Sequence, residues 1–209
     1  MELDQVADAL RERFDAMNEA REIGLSESRA AIRSCGNAIR ALHRYEMDNA
    51  KKLLDEARSH LRAAQSALAP YPEVLHAGFV ADAQKEYAEG TITFALVTGA
   101  AMPSIQDLEI STASYAKGMA EAIGELRRHI LDLMRQGQLA RCEELLGSMD
   151  DIYYVLVSMD YPDGITQGLR RLTDVARSII ERTRGDFTTS SIQSALRESL
   201  EARMERPAE

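Results

Sequence analysis

Two cysteines in 209 residues, Cys35 and Cys142, cannot build a disulfide framework, and a reducing interior suits them. No apolar run approaches the roughly 18–20 residues that span a bilayer, so no membrane-spanning segment is expected. The opening MELDQVADAL is acidic and has no signal-peptide apolar core, which points to the cytoplasm. The four histidines, His43, His60, His76 and His129, are scattered and make neither an HExxH nor a Cys/His zinc pattern. Basic residues are also short: 25 Lys and Arg against 34 Asp and Glu leave a formal net charge of −9. The long-range field therefore repels polyanions and argues against indiscriminate binding to them, though a local basic stripe is still allowed.

Proline is scarce, with five in the chain, and it punctuates: Pro70 and Pro72, Pro103, Pro162 in YPDG, and Pro207. Between these breaks stand helix formers, mainly Ala, Leu, Glu, Arg, Met and Gln. No long segment alternates with period two. The reading is an all-α protein, a bundle of about seven long helices. Helices are expected at about 3–22, 26–44, 46–68, 71–98, 114–136, 138–160, 165–184 and 188–204. GLSESRA marks either a break or a weak joint. Hydrophobic residues at 45% and charged residues at 28% fit a soluble globular domain with a real core. One domain is expected over 1–204, with a frayed tail at 205–209. Phe14, Met17, Leu53 and Leu54 lie on highly charged helices, which points to burial between subunits.

The segment SRAAIRSCGNAIRALHRY, residues 28–45, contains no acid in an acidic chain. At about 100° per residue, Arg29, Arg33, Arg40 and Arg44 share one narrow sector with His43 at its edge. Ile32, Cys35, Ile39 and Leu42 form a separate apolar stripe. Such a helix buries one side and offers four guanidiniums on another, whose planar forks suit phosphate. The alternative is a solvated arginine face paired with acids of a neighbouring helix.

KEYAEG, residues 85–90, places Glu86 and Glu89 three residues apart, sharing a face with Leu75, Phe79, Thr93, Leu96 and Val97. A buried, unpaired carboxylate is very costly, so these two need a cation, a donor network or a proton. Oxygen-only ligation suits Mg²⁺ or Mn²⁺. A second pair, Glu121 and Glu125, lies at i and i+4 in GMAEAIGELRRH, between Gly118 and Gly124, glycines that permit close approach of a helix or ligand. Two helices with two acids each could form a carboxylate cage for one or two metals. The bland alternatives are a buried salt bridge for Glu86 and solvent exposure for Glu121 and Glu125. No Glu-x-x-His recurs, so a di-iron bundle is not indicated.

Taken in order, three stretches resemble the translin/TRAX superfamily over roughly residues 20–185. SRAAIRSCGNAIRALHRYE is similar to the family's long basic helix. YPEVLHAGFVADAQKEYAEG resembles its EYxEA-type helix. YAKGMAEAIGELRRHILDLMRQGQLARCEELLGSMDDIYYVL resembles its GxADxxGEL segment and the helix after it. The resemblance implies a seven-helix subunit in a hollow homo-oligomer, usually an octamer, that binds single-stranded RNA or DNA. In the TRAX-like branch it implies a Mg²⁺-dependent endoribonuclease. By motif position the catalytic and metal-binding acids fall on Glu86, Glu89, Glu121 and Glu125, and the arginine after GEL falls on Arg128, which joins the nucleic-acid-binding set. Translin itself lacks the full acidic set and serves as a binding subunit. Two departures stand out: Gly90 replaces an alanine, and Glu121 replaces an aspartate, one methylene shorter.

Overall fold

The computed structural model describes residues 3–204; the expected tail at 205–209 lies outside the described residues. Those residues are helical with no strand among them, in the order α1 (Leu3–His43), α2 (Met47–Leu68), α3 (Pro72–Leu75), α4 (Gly78–Thr98), α5 (Ile105–Leu108), α6 (Thr112–Arg135), α7 (Leu139–Val157), α8 (Asp163–Thr166) and α9 (Leu169–Met204). The chain divides into two compact units. One comprises the chain through Phe94 together with Pro103–Gly118, and the other comprises Ala95–Met102 together with the chain from Met119 onward.

In the first unit α1 and α2 form a hairpin. Its turn is three residues long, with Tyr45 in the left-handed region at φ 61° and the Glu46 N–H donating to the Ala41 carbonyl at 3.0 Å. The buried positions of α2 are Ala50, Leu54, Ala57, Leu61, Ala64 and Leu68, a strict four-three spacing. Facing residues of α1 include Gly24, Ser28, Ala31, Cys35, Ala38 and Leu42, also buried. Spacing near 3.5 residues keeps one seam against the partner helix, and small residues along it let the backbones approach.

GLSESRA does not interrupt α1. Its glycine serves packing instead: a β-carbon on Gly24 would stand 2.6 Å from Leu68 Cδ1. With Leu68 fully buried, the glycine makes room for it. Below this point Ala20, Leu68 and Val80 form a small core, covered by Tyr71, Val74, Leu75 and Phe79. The helix expected over 71–98 is divided: Pro72 starts a single turn that ends at Leu75, and α4 begins at Gly78. Leu75 therefore leaves the Glu86 face and joins this core. Similarly, Leu54 is core at 6% exposure, while Phe14 is 58% exposed.

In the second unit YPDG turns the chain as expected. One helical turn follows Pro162, and Gln167 and Gly168 take left-handed φ of 52° and 87°. From there α9 runs unbroken through GDFTTSS, where the Thr188 and Thr189 hydroxyls donate back to the Arg184 and Gly185 carbonyls. The expected break between 184 and 188 is absent, because hydroxyls that bond the preceding turn are tolerated inside a helix. Arg184 holds Asp150 of α7 with both carboxylate oxygens at 2.7 Å, and Arg127 of α6 holds Asp186 of α9 at 2.8 Å.

The Gly24–Leu68 fit gives the first test. Leu68→Ala should destabilise the chain by about 2–5 kcal/mol, and Gly24→Ala should also destabilise through the clash. Combining them should cost clearly less than the sum, because the added methyl enters the vacated space. Urea unfolding of the three variants measures this, and strict additivity would contradict the packing described.

Candidate functional site

The arginine stripe lies on α1 in the first unit. Arg29, Arg33, Arg40 and Arg44 are all exposed, and His43 is partly buried. Arg44 pairs with Glu46 at 3.0 Å. Arg40 donates to the Asn37 side-chain oxygen, its own neighbour on the helix. Among the described residues no acid pairs with Arg29, Arg33 or Arg40. The arginine face is thus solvent-exposed, as in the alternative reading, with an acid paired, among the described residues, to Arg44 alone of the four.

On α4, Glu86 and Glu89 share the face that the spacing predicts. Glu89 is 9% exposed and buried in the unit. Its carbonyl accepts from the Thr93 hydroxyl at 2.7 Å, and Thr93 is fully buried one turn on. Glu86 is half-buried, with Lys85 Nζ at 3.0 Å from its carboxylate. The salt bridge that was the bland alternative for Glu86 is therefore present, with the adjacent Lys85 as its partner, a residue that helical spacing does not place on the same face. The buried thiol of Cys35 is pushed up to about 12, first by burial and then by the negative charges of Glu86 and Glu89. It is therefore a neutral thiol at neutral pH, which leaves carboxylates as the charged donors on this side of the unit.

Gly118 is where α6 meets α4. A β-carbon there would stand 2.5 Å from Ala88 Cβ and 2.9 Å from both the Glu89 nitrogen and the Lys85 carbonyl oxygen. Only glycine allows two helix backbones this close. Gly90 is similarly confined, 3.0 Å from Leu54 Cδ2, so the alanine expected from the family pattern would press on Leu54. Beyond Gly118, α6 continues into the second unit. There Glu121 and Glu125 are partly buried, contrary to plain solvent exposure, and Arg128 is exposed. Arg127, its neighbour, is occupied by Asp186 and the Thr183 hydroxyl.

The connector entering α6 is tied down from Pro103 onward. Ser104 and Asp107 form a reciprocal cap on α5. Arg62 Nε holds Glu109 at 2.7 Å, Arg58 donates to the Asp107 carbonyl at 2.8 Å, and Gln65 donates to the Glu109 carbonyl at 3.0 Å. Tyr115 Oη donates to the Pro103 carbonyl at 2.7 Å, and the Ser114 hydroxyl donates to the Ala81 carbonyl at 3.0 Å. Sequence reasoning missed this anchoring. The only legible signal was the S-x-x-D cap at 104–107.

Two solved structures, AfC3PO alone and AfC3PO in complex with duplex RNA, are each 30% identical to this chain, with a TM-score of 0.83 over 90% of this chain and 97% of theirs. The chain belongs to the translin/TRAX superfamily. Another member of similar fold is apo-NeC3PO, at TM-score 0.81 and 18% identity over 91% of this chain and 98% of its own. An uncharacterised protein of Methanocaldococcus jannaschii, MJ0175, is 34% identical over 185 residues, 88% of this chain and 82% of that protein. No family model matches the sequence. The translin-like helical architecture is thus established on both sequence and structure.

Two measurements test this geometry. Gly118→Ala should destabilise by about 1–3 kcal/mol, because backbone atoms of α4 stand in the way of the methyl. By contrast Gly124→Ala, with no atom of the described residues within 4 Å of the added carbon, should be neutral or stabilising by up to about 1 kcal/mol. Equal effects in chemical denaturation would refute the close approach at Gly118. The thiols give the second. Cys35 and Cys142 are buried and both pushed upward, so native protein at pH 8 should leave both unreacted with a disulfide reagent, and unfolding should release both. Because the folded value of Cys35 lies above its unfolded value near 8.5, its contribution to stability is complete below that pH. It is lost as pH rises towards about 12.

Proposed function

We propose that this chain binds single-stranded RNA along the α1 arginines and cleaves it as a Mg²⁺-dependent endoribonuclease, within a hollow homo-oligomer of the octameric kind, in the cytoplasm. The observation that carries the binding half is the exposed, acid-free row of Arg29, Arg33 and Arg40 in a chain of net charge −9. A similar protein, AfC3PO, has been solved with duplex RNA, which supports RNA as the partner class. Arg44, His43 and Arg128 extend the basic set, and single-stranded DNA presents the same phosphates. Among the described residues no helix is long and apolar enough to cross a membrane.

For cleavage, the proposal assigns the metal to Glu86, Glu89 and Glu121, each offering one carboxylate oxygen, with Glu125 binding directly or through water. The donor chemistry fits: carboxylates are hard ligands, and the neighbouring thiol is protonated. Mg²⁺ or Mn²⁺, when bound, supplies an activated water and neutralises phosphodiester charge. The chain's own groups do the rest. Arg29, Arg33 and Arg40 grip the phosphates by charge-assisted hydrogen bonds and hold the strand in register. Lys85 balances the Glu86 carboxylate while no ion is held. Assembly is supported by large apolar side chains left at the surface of the single chain, including Phe14, Tyr154, Ile165 and Ile192, exposed by 58%, 68%, 64% and 65%.

The Lys85–Glu86 pair also favours a second reading, a non-catalytic single-stranded nucleic-acid binder in which the carboxylates are structural. Titrating Mg²⁺ and Mn²⁺ against labelled single-stranded and duplex RNA separates the two. Under the nuclease reading Glu86→Ala and Glu89→Ala abolish cleavage and leave RNA affinity within about twofold of wild type. Binding without cutting at every metal concentration would establish the binder instead. In both readings affinity falls steeply with salt, and Arg33→Ala lowers the slope of log K against log[salt] by about one unit.

A further inference from the structure

We infer that Lys85 is a displaceable counter-ion: its ammonium holds Glu86 and competes with a divalent cation for that carboxylate, so that this one lysine sets the metal affinity of the acidic face. The inference rests on the reading of Glu86 and Glu89 as metal ligands, and it adds the group that keeps their site from filling at low metal concentration. The chain carries 21 arginines and only four lysines, Lys51, Lys52, Lys85 and Lys117. Lys52 is an ordinary surface residue, its side chain 76% exposed and 4.0 Å from Glu56. Lys85 is different. Its side chain is 17% exposed and that of Glu86 29%, with Nζ 3.0 Å from the carboxylate. Its backbone is held as well, since the Lys85 carbonyl oxygen packs against Gly118 of α6.

Helical spacing alone does not produce the pair. Lys85 and Glu89, four residues apart, share a face of α4, whereas Glu86 projects about 100° away from Lys85. One stem must swing round the helix for ammonium and carboxylate to meet. Two carboxylates and one ammonium give this turn a net negative charge, which a cation of higher charge than lysine can balance better. The choice of lysine fits an exchange. Its ammonium is a strongly hydrated point charge on a flexible four-carbon stem, which can let go and return to water, while a guanidinium would clamp the carboxylate with a planar fork. Partial exposure gives the stem a way out to solvent. A divalent cation on Glu86 and an ammonium against the same carboxylate repel each other strongly where water is largely excluded, so binding of one requires release of the other.

The test is isothermal titration calorimetry of Mn²⁺ into the full chain, stripped with chelator and without RNA, alongside thermal unfolding with and without Mn²⁺. Lys85→Met keeps the stem and loses the charge. It should bind Mn²⁺ about tenfold tighter than wild type, equivalent to ~1.4 kcal/mol. Its melting temperature should also rise more on adding Mn²⁺ than that of wild type does. Lys85→Arg retains the charge and should bind Mn²⁺ no tighter than wild type. In a Glu86→Gln background the gain from Lys85→Met should shrink to about twofold or less, because the carboxylate that the two cations share is gone. If the gain persists there in full, Lys85 acts by general charge repulsion and the counter-ion role is refuted. If Lys85→Met binds Mn²⁺ like wild type or more weakly, the lysine does not compete and the metal site stands without it. If neither wild type nor Lys85→Met binds Mn²⁺, the metal reading falls and takes this inference with it. Tighter binding by Lys85→Arg, which needs no loss of charge to fold, would overturn the inference by itself.

Discussion

The closeness of α4 and α6 at Gly118 constrains the rest of the first unit. Without a β-carbon, α6 rests against Ala88, the Glu89 nitrogen and the Lys85 carbonyl at distances no other residue permits. That contact fixes the turn of α4 that carries Glu86 and Glu89. The anchored connector reinforces it: Arg58, Arg62 and Gln65 hold the segment that delivers α6, and Ser114 and Tyr115 tie the start of α6 to α4 and to Pro103. Each of these bonds is modest, since net contributions run near 1 kcal/mol and exposed ion pairs give less. Their joint effect is to leave α6 a single way to enter its contact with Gly118.

A carboxylate at 9% exposure is a cost that a fold retains only with compensation. Around Glu89 and Glu86 one form of compensation is visible, the Lys85 ammonium against Glu86. The Cys35 thiol nearby is pushed up first by its burial and then by these two acids. A hydrophobic core would be cheaper with leucine in their place, because burying a charge and its partner seldom outdoes well-packed apolar side chains. Two acids on this face therefore need partners, and the Lys85 ammonium is one of them.

Much of this was legible in the sequence, and the failures have physical causes. The all-α class, the exposed arginine sector and the shared face of Glu86 and Glu89 follow from the 3.6-residue period, which packing does not alter. Boundaries were less secure where glycine had two possible roles. Gly24 reads as a joint, yet it is an interior position cleared for Leu68, and the α1 helix passes through it. In GDFTTSS, threonine hydroxyls satisfy the preceding carbonyls and the helix continues. The helix expected over 71–98 divides at residues 76–77, because the Pro72 turn folds onto the Ala20, Leu68 and Val80 cluster, a contact between residues more than 40 apart. Pairings at long separation, such as Arg62 with Glu109, leave no periodic trace.

The negative total charge and the basic stripe are compatible because they act over different ranges. At physiological ionic strength exposed charges are screened beyond about 8 Å. A strand resting on α1 would therefore feel the nearby guanidiniums and little of the distant acids. No acid of the described residues neutralises Arg29, Arg33 or Arg40, so their charge is available at the surface. The remaining acidity still matters at longer range, where it slows approach by polyanions in general. The two effects therefore act in opposite directions, the local arginine row at short range and the acidic total at long range.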